Sequence, residues 1–438
     1  MPLIDNLIKK DKKGIFKYNN YFTNYSTGFP SLDYLNAFKV KYIDKKTGKE
    51  KYLLLPGVMS GRFITIFGGS GGGKTTIATQ IGWNIIKPFE DGVLAYTDCE
   101  HATYKPRIYD ITDCKEGDLR FVLNDEETYI ETVMDQIAAI AKEKEVAGED
   151  AMYEVDAGPL EEVFGVKKYK MYVPSVVIID SLPSFVSKDM KQEMESQTSA
   201  QRETAYISQF YKKALGVCSK YNIIVIAINH LKPKIQMQAF NYTPPQLMML
   251  KSDEVLPRGE APIFYASTML RMNPSASKAK AFTVEEHGFD GFLCCLQIAK
   301  TKTTFIGGEV NLVFREDMGY DPVYSLYQFA YDAGILMGRN PYLYIQGAEN
   351  FKFNKKNFRE KFINEKDFQD AVMAALQPYF DAIAGCKDEE CDTNIDITKL
   401  MVINEKGEIE AANVGENSNN ELVVITPDQS EQLEPQAA

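Results

Sequence analysis

The chain has 438 residues, 45% hydrophobic and 25% charged, with 61 acidic against 49 basic side chains and a net charge of −12. Such a chain can bury one large domain with appendages, and its composition is ordinary for a soluble globular protein. No apolar run approaches the roughly 20 residues that span a bilayer, and MPLIDNLIKKDKKG lacks a signal peptide's apolar core, so a cytoplasmic protein with no membrane partner is expected.

Residues 1–34 mix Lys, Asn and aromatics and read as an N-terminal arm. Residues 35–337 read as the core, in which short β-branched runs alternate with helical patterns. Expected strands are Phe63–Phe67, Val93–Thr97, Val176–Ile179 and Ile223–Ile228. Runs that are apolar throughout are buried on both faces, so an α/β fold with a mostly parallel sheet is expected. Helices are expected over 127–146 and 200–221.

Directly after FITIF comes Gly68-Gly69-Ser70-Gly71-Gly72-Gly73-Lys74-Thr75, followed by Thr76. It fits G-x-x-x-x-G-K-[ST] between a strand and a helix, the pattern of a phosphate-binding loop. Glycines let backbone N–H groups curl around phosphate oxygens, and the helix start adds its positive dipole end. Lys74 would reach the β- and γ-phosphates, and the Thr75 hydroxyl would ligate Mg²⁺. ATP and Mg²⁺ are the expected cofactors. A flexible glycine turn is the bland alternative, and the flanking strand and helix speak against it.

Three further strand ends carry polar groups. Glu100 follows VLAYT, where a carboxylate would orient and deprotonate an attacking water, or else serve as a cap or salt bridge. Asp180 ends VVIID beside Ser181, placed to hold the metal with Thr75; alone it would read as a helix cap. Asn229-His230 ends IIVIAI, where a γ-phosphate contact and a satisfied structural histidine are both open.

Beyond Ile228 the pattern changes. Residues 231–262 form a long proline-containing segment without a period, as functional or disordered loops do. Phe292–Ala299 and Glu309–Phe314 read as a hairpin through Gly307-Gly308. Residues 338–400 read as a small α+β C-terminal domain, and 401–438 as an acidic, solvated tail. Three histidines and seven cysteines without a C-x-x-C pair give no zinc site, and Cys386 and Cys391 are expected as free thiols. The negative charge argues mildly against nucleic acid, although binding depends on where the charges sit.

Taken together, these motifs resemble the bacterial RecA family and the related recombinases of large phages. The resemblance runs from about residue 25 to 380. It is carried by Ser26–Leu35, GRFITIFGGSGGGKTT at 61–76, YTDCEHA at 96–102, VVIIDSLPSF at 176–185, IAINHLK at 226–232 and GEAPIFYASTMLRM at 259–272. LQIAKTKTTFIGGEVNLVF and YLYIQGAENFKFNKKNF continue it. It implies a RecA-type P-loop ATPase core in which Glu100 is the catalytic glutamate and Asp180 the acid at the metal. Lys300 and Lys302 would reach the ATP of a neighbouring subunit, and Tyr109 would stack on adenine. His230 stands where the bacterial family usually has Gln, and 148–172 looks like an insertion.

The resemblance also implies two DNA-facing loops, about 183–202 and 231–262. Lys188, Arg202, Lys232, Lys234 and Arg258 would contact phosphates, with Phe240 and Tyr242 stacking on bases. Without the resemblance both would read as polar surface loops. The implied activity is that of an ATP-dependent recombinase which forms filaments on single-stranded DNA and exchanges strands with homologous duplex, aided by mediator and single-strand-binding proteins. A hexameric replicative helicase on the same core and a non-catalytic recombination mediator are the alternatives.

Overall fold

The computed structural model describes residues 21–44, 47–126, 128–188, 197–233, 245–274, 282–303 and 306–386, with short strands at 391–393, 402–403, 409–410, 414–416 and 422–424. The apolar runs form β1 (Phe63–Gly68), β2 (Val93–Asp98), β3 (Phe121–Asn124), β4 (Ser175–Asp180) and β5 (Ile223–His230), joined further along by β6 (Thr268–Pro274), β7 (Gly291–Thr301), β8 (Glu309–Arg315) and β9 (Gly319–Asp321). They make one nine-stranded sheet in the order β9-β8-β7-β6-β1-β5-β4-β2-β3. From β6 to β3 every pairing is parallel, and β7, β8 and β9 extend the β6 edge in antiparallel fashion.

Strand side chains alternate between faces, and here both faces are covered. Ile64, Ile66, Val176, Ile178, Ile224 and Ile226 pack on one side with α1 (Lys74–Ile86). On the other, Phe63, Val177, Ile179, Ile223 and Val225 meet α2 (Ile130–Ala147) and α3 (Gln197–Tyr221). Continuous apolar strands are the consequence. Deep in that second layer Lys144 donates to the carbonyls of Val173 (2.6 Å), Tyr221 (2.9 Å) and Asn222 (3.5 Å), fastening α2 to the end of α3. Lys144→Met should take this donor from the Val173 and Tyr221 oxygens, while Asn222 O keeps Ser175 N, and should lower stability by about 2–4 kcal/mol, read from urea unfolding.

Residues 24–34, expected to lead into the core as part of an arm, are packed within it. Asn24–Tyr25 pairs with Val58–Met59, and the helix Pro30–Leu35 is buried throughout. Asp33 anchors the turn before that helix, accepting from Ser26 Oγ (2.5 Å), Thr27 N (2.8 Å) and Thr27 Oγ1 (2.5 Å). Burial outweighs these bonds and pushes its pKa up to about 7. A raised acid pKa means that the folded state holds the proton more tightly. Its stabilising effect is therefore complete below about pH 4 and lost as pH rises through about 7. Urea midpoints should fall between those limits, and Asp33→Asn should flatten part of the fall.

The C-terminal module shares a hydrophobic cluster with the core. α4 (Pro322–Asp332) contributes Phe329, which stacks on Phe380 at 4.8 Å between centroids, as does Tyr34. Residues 148–172, read as an insertion, form a hairpin of Met152–Asp156 and Lys168–Tyr172. It packs on a second hairpin, Phe38–Ile43 with Glu50–Leu55, whose pattern the sequence reading missed. Cys386 corrects an expectation: it is disulfide-bonded rather than free. The chain doubles back here, with Cys391–Thr393 pairing alongside Tyr52–Leu54, a return that sequence spacing does not reveal. In the tail, short antiparallel ladders at 402–403 with 409–410 and 414–416 with 422–424 occur where composition implied only solvated chain. Among the described residues no helix is long and apolar enough to cross a membrane.

Candidate functional site

Parallel register brings four strand ends to one edge: His230 pairs with Gly68, and Asp180 with Asp98. Ligands of open α/β sheets bind in the crevice outside such carboxyl ends. The glycine loop joins β1 to α1 there. Gly73, at the helix start, has φ +74°, and a Cβ on it would lie 2.8 Å from the Tyr320 hydroxyl. That hydroxyl donates to Gly72 O at 3.0 Å, so Tyr320, on β9, props the loop from beneath. Gln80 holds Tyr320 in turn through its backbone N–H and carbonyl, both at 3.0 Å. Gly69, Ser70 and Gly71 are exposed, and Thr76 is half-buried beside Gly319.

Lys74 is 5% exposed and donates to Gly69 O at 2.7 Å. Burial lowers its pKa, while the carboxylates of Asp180 and Glu100 work in the opposite direction. Thr75 Oγ1 donates to Asp180 Oδ2 at 2.6 Å, and the same oxygen accepts from the Tyr96 hydroxyl at 2.7 Å. Burial raises the Asp180 pKa against both bonds. A buried carboxylate beside a hydroxyl is a pair of hard oxygen donors, which fits Mg²⁺ with water and phosphate oxygens filling the remaining positions. Among the described residues no group of three or more His, Cys, Asp or Glu would hold a metal unaided.

Glu100 sits on a turn built by Asp98, which accepts from Glu100 N at 3.1 Å and Thr103 N at 2.7 Å. Its Oε1 accepts from Ser181 Oγ at 2.5 Å, and His230 Nε2 lies 3.1 Å from that oxygen. Asn229 Oδ1 accepts from His230 N at 2.9 Å. The sheet edge thus gathers Lys74, Thr75, Glu100, Asp180 and His230. Sequence reasoning missed Tyr96 and Tyr320 and left Ser181 without a role.

Other expected site residues lie elsewhere. Tyr109 packs edge-on against Phe121, with centroids 6.5 Å apart, and is half-buried. Lys300 Nζ is turned to the carbonyls of Ile263, Phe264 and Ala266, the last two at 2.9 and 3.0 Å. Burial, then the neighbouring Lys302, brings its pKa down to about 8. Lys302 Nζ lies 5.9 Å from the ring of Phe264, which is 67% exposed. Arg258 is engaged internally, by Glu203 and the carbonyls of Leu182 and Pro183, because its guanidinium ties the two expected DNA loops together. Lys188, Arg202 and Lys232 are exposed. Lys234, Phe240 and Tyr242 lie outside the described residues.

A mostly parallel sheet flanked by helices, with this loop at its edge, is consistent with a RecA-type core. No family model matches the chain. The protein named RecA from Thermus aquaticus is 24% identical to it over 292 residues, 66% of this chain and 71% of that protein. RecA of Syntrophus aciditrophicus is 27% identical over 316 residues, covering 70% and 75%. RecA of Chlamydia trachomatis serovar L2 is 24% identical over 348 residues, covering 76% and 82%. These distant similarities support a RecA-family protein.

Proposed function

We propose that this chain is an ATP-dependent DNA recombinase that assembles as a filament on single-stranded DNA and pairs it with homologous duplex. The observation that carries the reading is the meeting of Lys74, Thr75 and Asp180 with Glu100 at one sheet edge. A binding module would need the first three and would have no use for a carboxylate aimed at water.

In the proposed reaction the loop N–H groups and Lys74 would hold the phosphates, while Thr75 and Asp180 would hold Mg²⁺. When bound, that ion supplies charge neutralisation. Glu100 orients a water and accepts its proton as the water oxygen attacks the γ-phosphorus. ADP then leaves with the electron pair of the broken bond to the β–γ bridging oxygen.

For assembly the reading offers Phe264, a large exposed ring, because aromatic side chains are enriched at contact surfaces. Across such a contact the exposed Lys302 would meet a neighbour's nucleotide and stabilise developing charge, with Lys300 joining it once its amine leaves the carbonyls of Ile263, Phe264 and Ala266. For DNA the reading offers the exposed Lys188, Arg202 and Lys232.

Purified protein should hydrolyse ATP faster with single-stranded DNA and should form joint molecules only between homologous partners. Closed rings that unwind forked duplex without any need for homology would establish a helicase instead. ATP binding without turnover would establish a mediator.

A further inference from the structure

Two residues at this edge touch the proposed general base and have no role in the scheme above, His230 and Ser181, and of the two Ser181 is the fully buried one. It lies directly after β4, and its carbonyl accepts from Ser184 N at 3.0 Å, so its position is fixed by the core. Its hydroxyl donates to Glu100 Oε1 at 2.5 Å. His230 approaches the same oxygen, whereas Oε2 has no hydrogen-bond partner among the described residues. The terminal torsion of a glutamate is broad and roughly two-fold. A carboxylate held at neither oxygen would present either one, over a range of angles, to an attacking water.

We propose that Ser181 is a positioning residue for Glu100, fixing Oε1 so that Oε2 alone takes the proton of the attacking water. The inference rests on the hydrolytic reading above. His230 shares the task from a side chain 28% exposed, while Ser181 contributes a short, fully buried donor. Small misplacements of a reacting group cost rate far more than they cost binding.

In the full chain, Ser181→Ala should lower kcat roughly 10- to 100-fold while KM for ATP stays within about twofold. Ser181→Cys, which keeps a weak donor of similar size, should recover part of that loss. The decisive measurement is the double variant Ser181→Ala with Glu100→Gln: if Ser181 acts through Glu100, it should be no slower than Glu100→Gln alone. An unchanged kcat in Ser181→Ala, or a loss that persists in full on the Glu100→Gln background, overturns the proposal while leaving the hydrolytic reading intact. Should Ser181→Ala fail to fold, Ser181→Cys completes the same cycle. A wild-type chain that hydrolyses no ATP overturns both.

Discussion

Lys74→Ala is expected to reduce ATP hydrolysis by roughly a thousandfold, with the circular-dichroism spectrum unchanged. The amine is nearly buried, and its Nζ is held by Gly69 O at the loop's own mouth. It is therefore ordered before any phosphate arrives and loses little entropy on binding one. Two carboxylates, Asp180 and Glu100, oppose the effect of burial on its charge. Truncation would remove the compact cation that is proposed to face the β- and γ-phosphates. Phosphate release in the steady state reads the effect, and wild-type turnover in the variant would sink the assignment of this loop.

Glu100→Gln should lower kcat by roughly 10²- to 10⁴-fold while leaving ATP binding close to wild type. The amide oxygen can still accept from Ser181, so the turn made by Asp98 and the seat of His230 should survive. What is lost is the capacity to take a proton. Binding of a fluorescent nucleotide measured beside single-turnover hydrolysis separates the two. Equal loss in both would reassign Glu100 to holding the nucleotide.

Those two residues were legible because their signals are local. A glycine loop between strand and helix, and acids at the ends of apolar strands, need only the chain direction and the period of a strand to place them. The alternation of Val176, Val177, Ile178 and Ile179 between two covered faces likewise explains why the run reads as a parallel strand. What escaped depends on partners distant in sequence. Tyr96 looks like one more apolar strand residue until Asp180 is set 2.7 Å from its hydroxyl. Lys300 reads as an edge lysine until the carbonyls at 263–266 surround it. Arg258 reads as a free cation in a loop until Glu203 meets it. The hairpin at 38–55 was missed although Phe38, Val40 and Tyr42 alternate with Lys39 and Lys41; the apolar face they make is covered from residues 148–172, far along the chain.

The prop beneath the phosphate loop bears on how the protein is made. Gly72 and Tyr320 are 248 residues apart in sequence. At about 5–20 residues per second, ribosomal synthesis would separate them by roughly 10–50 s. Through that interval the nascent chain carries a complete glycine loop with nothing behind it. Nucleotide capture should therefore arrive late in biosynthesis, only after β9 has joined the sheet edge. A ribosome stalled a few residues before Gly319 should hold a chain whose central strands are folded but whose pocket is still slack.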